Sequence, residues 1–240
     1  MDSNHMNFKT LPQVDAARVA ALPIDYEWDS TINNGFLAAS DEEHPRLAEA
    51  IEALNIHGAA DLLIGAIEWS VARMQANVPV DDAQLRLQAA WAATVDPRYS
   101  VLAKAPVPDP AVEDLWTRPE RRARSFLGYV VGFLEQGRTS KVRQSALGCV
   151  LLAEHLCGRD PAFGPWLTSM IRTKTASSPR RVDDIDFNSR DKSLPEDQEL
   201  TTPTREERLA GLDPATNPYL RSAADIAALG FVGDPYPQRP

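Results

Sequence analysis

Cysteine is scarce in this chain: 2 among 240 residues, Cys149 and Cys157. They fall eight positions apart inside one expected helix, about 12 Å along its axis at a rise of ~1.5 Å per residue. That is too far for a disulfide, whose Cα atoms lie within ~7 Å of each other. Two unpaired thiols suit a reducing compartment, and the cytoplasm is the expected one. Long apolar runs are missing as well. The longest in an expected helix covers residues 126–134, between Arg124 and Glu135, well short of the ~20 residues a membrane span needs. No N-terminal stretch joins a basic start to an apolar core of signal-peptide length, so export is not expected. His5-Met6 is what an NdeI cloning site encodes, and residues 1–5 are set aside as a cloning remnant.

The chain also lacks the short motifs that carry chemistry. It has no Gly-rich phosphate loop, nucleophile elbow, Cys-x-x-Cys, His-Glu-x-x-His or dinucleotide fingerprint. Their absence lowers the expectation of an enzyme without excluding one, because catalytic groups converge from distant positions. Metal-ligand residue types cluster only at Glu154, His155 and Cys157, while His5, His44 and His57 stand singly. A helical zinc pair needs ligands one turn apart on one face and further ligands elsewhere, so neither a metal nor a cofactor is expected.

What is present is a change of texture near Ser177. Alanine-rich segments with helical periodicity come before it, and a proline-punctuated tail follows. With 43% hydrophobic residues, the length suits one domain with an extension: an α-helical body over 1–176 and a tail over 177–240 that packs on the body or on a partner. Helices are expected over 12–22, 40–55, 59–76, 81–95, 119–136, 140–158 and 160–175, joined by short hand-overs. The signals include Ser40 with Glu43 as a capping box, Gly58 as a separator, Asp81 or Asp82 as a cap, Pro119 at a first helical position and Gly137 as a stop. Asn33-Asn34-Gly35 reads as a turn, and 112–116 as one short turn in a proline-rich connection. On the helix after Gly58, Asp61, Glu68 and Arg73 are expected off the apolar face. The fold class is all-α, an array of antiparallel helical hairpins with a Pro-rich C-terminal extension carrying two short helices. The first is capped by Thr204 with Glu207 and the second by Ser222 with Asp225, and they end at Gly211 and Gly230. Leu220, Ile226, Leu229 and Phe231 are expected in grooves between helices of the body. Residues 62–68 and 129–135 share an apolar, Gly, apolar, Glu pattern, but it occurs once as a pair, which is too little for a solenoid.

Charge is uneven. The net charge is −9, with −11 carried by residues 1–117 and +6 by 118–176. Arg118, Arg121, Arg122 and Arg124 form a basic face in the first turns of a helix, where cations oppose the dipole. Ion pairing with the acidic first half is the plain compensation, and an acidic partner the sharper one. Nucleic acid is disfavoured by the overall charge. Gly128 and Gly132, one turn apart, point to close packing inside the body. The acidic-aromatic segment Asp25-Tyr26-Glu27-Trp28-Asp29 is the candidate partner-binding element, since aromatics supply rigid contact area and carboxylates steer a basic partner. The plain alternative is a surface loop whose Trp28 folds back into the core.

Together these readings point to a cytoplasmic protein that binds another protein and is more readily a non-enzyme. The class they fit is a stoichiometric inhibitor such as a bacterial immunity protein neutralising a basic toxin. The rival reading is a helical enzyme with an inter-helix pocket that draws on Glu68, Arg73, Glu154 and His155.

Overall fold

Helix formation in this chain is decided by which segments can bury an apolar face. A computed structural model describes residues 14–39, 41–102, 115, 117–180, 208–232 and 236, and among these the protein is all-α, with no strand. In chain order the helices are α1 (Ala16–Ala20), α2 (Ser30–Leu37), α3 (Pro45–Glu52), α4 (Ile56–Met74), α5 (Asp81–Val95), a 3₁₀ turn (Pro97–Tyr99), α6 (Thr117–Glu135), α7 (Thr139–Cys157), α8 (Phe163–Ser177) and α9 (Ala223–Ala228).

The centre is α4. It packs most extensively on α7 and is covered by α1, α5, α6 and α8 as well. Every residue of it except His57 is buried, the condition of a helix enclosed on all sides. Asp61, Glu68 and Arg73 therefore do not lie off an apolar face as expected; they are 2%, 2% and 0% exposed and survive there through partners, as buried polar groups must. Arg73 donates from Nη2 to the Pro23 carbonyl at 2.8 Å and from Nε to the Leu156 carbonyl at 3.3 Å.

The first half of the chain departs from expectation in three more places. Asn33-Asn34-Gly35 is not a turn but the middle of α2, whose N-cap Asp29 accepts a hydrogen bond from the Ile32 amide at 2.7 Å and whose Phe36 is buried. Helix α3 starts at Pro45 and not near Ser40, which lies outside the described residues. Proline is stable at a first helical position but clashes one turn further in. Gly58 does not separate two helices. It lies in the first turn of α4, where its amide donates to the N-cap Asn55 side chain at 2.9 Å. A Cβ on Gly58 would stand 3.0 Å from the Ser178 Cβ, so glycine there admits the chain leaving α8. That chain is tied down by Asn55 N to Ser178 O at 2.9 Å and Arg180 N to Ala53 O at 2.8 Å.

Later signals agree better with the structure, except at α5, where Asp81 and Asp82, expected as caps, lie in the first turn and the N-cap is Val80 with no side-chain cap. Helix α6 is left through Gly137 at φ 64°. Pro119 occupies the third position of α6, still in the first turn, where no intrahelical donor is lost. Gly132 is buried and faces Leu102, whose Cδ1 lies 3.0 Å from where a Cβ would be, although Leu102 itself is 51% exposed. Residues 62–68 fall in the enclosed helix α4, and 129–135 in α6, where Tyr129 and Glu135 are exposed.

Residues 208–232 form a second, smaller apolar cluster against α5 and the 3₁₀ turn, in which Leu209, Leu220 and Ile226 meet Ala89, Ala92 and Tyr99. The chain there runs antiparallel beside residues 99–101, with Val101 N to Tyr219 O and Arg221 N to Tyr99 O both at 2.9 Å. Asn217 Nδ2 donates to the Leu85 carbonyl at 2.9 Å. Helix α9 is capped by Ser222, and Gly230 follows at φ 83°. Phe231 packs at the edge of this cluster, whereas Leu229, expected in a groove, is 48% exposed. The first expected tail helix, with its Thr204 and Glu207 cap, and the short turn at 112–116 fall on residues outside the described set, apart from Leu115 and residues 208–211, where Arg208 and Leu209 are helical and Gly211, the expected end, has φ 73°.

Candidate binding surface

The acidic-aromatic segment runs extended between α1 and α2, so alternate side chains face opposite ways. Tyr26 and Trp28 turn inward, 7% and 9% exposed, while Asp25, Glu27 and Asp29 face outward. The Tyr26 hydroxyl donates to the Leu115 carbonyl at 2.8 Å. The His155 ring lies 5.7 Å from that of Tyr26, 6.1 Å from Trp28 and 5.6 Å from Phe36. His155 Nε2 is 2.7 Å from the Glu27 carbonyl; a carbonyl only accepts, so Nε2 carries the proton. Arg73 lies over the Tyr26 ring at 5.7 Å. The aromatic half of the segment is thus core, and what remains for a partner is a row of carboxylates. Two of these also have local work. Asp25 pairs with Arg159 at 2.9 Å, and Asp29 caps α2.

The basic face on α6 is partly consumed inside the protein. Arg124 reaches Glu120 of its own helix at 2.6 Å and Asp82 of α5 at 3.0 Å, and the second is the ion pairing with the acidic first half that the charge asymmetry anticipates. Asp82 also pairs with Arg86 at 2.8 Å and accepts from the Tyr219 hydroxyl, which binds the tail into the same network. Arg122 donates to the Asn33 side chain at 2.9 Å. Burial pushes the Glu120 carboxyl up despite Arg124. Burial acts in the same sense on Asp82, but hydrogen bonds from Tyr219, Arg86 and Arg124 outweigh it and hold that carboxyl below its usual range. Arg118 and Arg121 are half-buried at the start of the helix.

Residues of α2, α6 and α7 line an open groove. Phe36 and Leu37 of α2 face Phe126, Tyr129 and Phe133 of α6 across about 360 Å³, with Arg138 and Lys141 on the rim. Leu37 is 41% and Tyr129 39% exposed. Along α7 a second groove of about 620 Å³ shares Lys141 and Gln144 with the first and carries Asp41, Glu42 and Glu52 on its other bank. Phe36 joins this surface to the loop, since its ring stands 5.6 Å from Trp28. The Phe126, Tyr129, Phe133 spacing was visible in the sequence, but a one-sided apolar stripe gives no sign of whether another helix of the same chain covers all of it.

Of the rival catalytic set, Arg73 and His155 both stand against the Tyr26 ring, each 5.7 Å from it. Glu68 is buried and accepts from Trp91 Nε1, Arg73 is held by backbone carbonyls, Glu154 is exposed on α7, and none of the four lines either groove. Cys157, one turn beyond Glu154, is buried instead, with Sγ 3.5 Å from the Trp69 carbonyl. Burial pushes both thiols up, away from nucleophilic thiolate. No family model matches the chain, and no curated protein or solved structure matches it.

Proposed function

We propose that this protein binds another protein, and that the aromatic groove between α2 and α6 is its anchor site. The supporting observation is the groove itself. Two partly exposed aromatic side chains, Tyr129 and Phe133, above buried Phe36 and Phe126 and beside the cations Arg138 and Lys141, match the composition of binding hot spots more closely than that of a closed substrate pocket. The partner that fits is an amphipathic segment with apolar anchors for the groove and a carboxylate for Arg138 or Lys141. Its flank toward residues 25–29 is basic, because Asp25, Glu27 and Asp29 face outward beside Phe36 and the chain carries −9 overall. A stoichiometric inhibitor of a basic toxin, acting in the cytoplasm, is the class of protein this describes.

The test is site-specific photocrosslinking in the native cell, with a benzophenone side chain in place of Leu37, Tyr129, Glu27 or the remote exposed Leu229. The expected result is one predominant adduct from Leu37 and Tyr129, a weaker one from Glu27 and none from Leu229. Adducts of equal yield from Leu229 would remove the groove as the site.

A further inference from the structure

One side chain in the centre of the protein comes from far along the sequence. Asp61 and Glu68, two turns apart on α4, share a face. Lys174 of α8 places Nζ 2.6 Å from Asp61 Oδ2. Arg208 then meets Asp61 edge to edge, Nη1 to Oδ1 at 2.6 Å and Nη2 to Oδ2 at 2.7 Å, and also donates to the Thr94 hydroxyl. Its Cζ stands 5.0 Å from the Trp91 ring centroid, and the Trp91 ring is held in place by its hydrogen bond to Glu68. Asp61, Thr94 and Arg208 are 2%, 1% and 5% exposed.

These parts are matched to one cation shape. The parallel hydrogen bonds to a carboxylate need the planar fork of a guanidinium, which an ammonium cannot reproduce, and the indole face adds a stacking surface that a guanidinium uses well. Arg208 belongs to the segment 208–232, whose apolar contacts form a cluster separate from the main core, and such a satellite can open as its own unit.

We infer that Asp61, Thr94 and Trp91 form a guanidinium-binding socket, that Arg208 fills it as a tethered ligand, and that an external arginine side chain or alkylguanidinium occupies it when the tail segment lifts. Tethering gives Arg208 an effective concentration on the order of millimolar or above, so the intact chain excludes dilute competitors and its occupancy is governed by tail release. The socket shares no residue with the groove and is independent of it.

The test is thermal melting of the full chain carrying Arg208→Ala, with methylguanidinium chloride as the probe and methylammonium chloride at equal concentration as the control. Arg208→Ala is expected to melt below the unsubstituted protein and to be raised by several degrees, saturably, by millimolar methylguanidinium but not by methylammonium. The unsubstituted protein gains nothing, and adding Asp61→Asn to Arg208→Ala abolishes the gain. Equal effects of the two cations, or a gain that persists without Asp61, would overturn the inference. Should Arg208→Ala not fold, Arg208→Lys keeps the charge and loses the fork. It is then expected to melt several degrees low, and melting at the unsubstituted temperature would show that the socket does not select a guanidinium.

Discussion

Asp61 on α4 and Arg208 in the tail, 147 residues apart, meet through two parallel hydrogen bonds in the middle of the protein. The pair shares its carboxylate with Lys174, so one side chain of the central helix anchors both α8 and the tail. Replacing it with asparagine leaves two buried cations short of a counter-charge. Asp61→Asn is expected to cost about 3 to 5 kcal/mol, measured by urea unfolding followed through tryptophan fluorescence.

The same carboxylate sets an acid limit. Burial alone would push the Asp61 carboxyl up, but Arg208 and Lys174 outweigh it and the net displacement is downward; Asp82 is displaced downward as well. A carboxyl depressed in the folded state stabilises the fold above its unfolded value and loses that contribution as pH falls through the folded one. Stability should therefore decline on acidification below about pH 4, and less steeply in Asp61→Asn. Glu120, pushed up by burial, acts in the opposite sense: its contribution is present at low pH and is lost as pH rises through its folded value. Urea midpoints measured from pH 2 to pH 7 in both proteins check the signs.

The three outward carboxylates of residues 25–29 should separate under substitution. Asp29→Ala removes the α2 cap and is expected to cost about 1 kcal/mol, so charge reversal along the whole segment is not neutral for stability. Glu27→Lys should leave the melting temperature unchanged. Trp28→Ala, which empties a core site, should cost about 3 to 5 kcal/mol.

Removing residues 208–240 uncovers Ala89, Ala92 and Tyr99 and strips Arg208 from Asp61. Each buried apolar side chain lost, Leu209, Leu220 and Ile226 among them, is worth roughly 1.5 to 3 kcal/mol before ordering entropy is subtracted. The truncated chain should melt lower and self-associate by light scattering.

The sequence made some of this plain and hid the rest for identifiable reasons. Several helix ends after α5 follow from local chemistry: Gly137 and Gly230 at positive φ, Ser222 as a cap; the expected carboxylate cap of α5 does not form, since its N-cap is Val80. Helix α2 was hidden because Asn33, Asn34 and Gly35 are poor helix formers, and the burial of Phe36 against Trp28 and His155 overrides them. The inward turn of Tyr26 and Trp28 was available from their alternation with Asp25, Glu27 and Asp29. The Arg208 socket was not, since its parts come from α4, α5, α8 and the tail, and no local spacing relates them. The groove was hidden for another reason: core and binding stripes look alike on one helix, and only the position of α2 leaves Tyr129 and Leu37 uncovered.

The most direct test of the binding proposal is calorimetric titration of the crosslinked partner, once purified, into the unsubstituted protein and into Tyr129→Asp. Tyr129 is 39% exposed and its ring stands 6.3 Å from those of Phe126 and Phe133, so the substitution is expected to lower the melting temperature somewhat, and the titration is run well below it. If the groove is the anchor site, binding is one-to-one and weakens at least about tenfold in Tyr129→Asp, equivalent to ~1.4 kcal/mol. Equal affinity for the two proteins would contradict it.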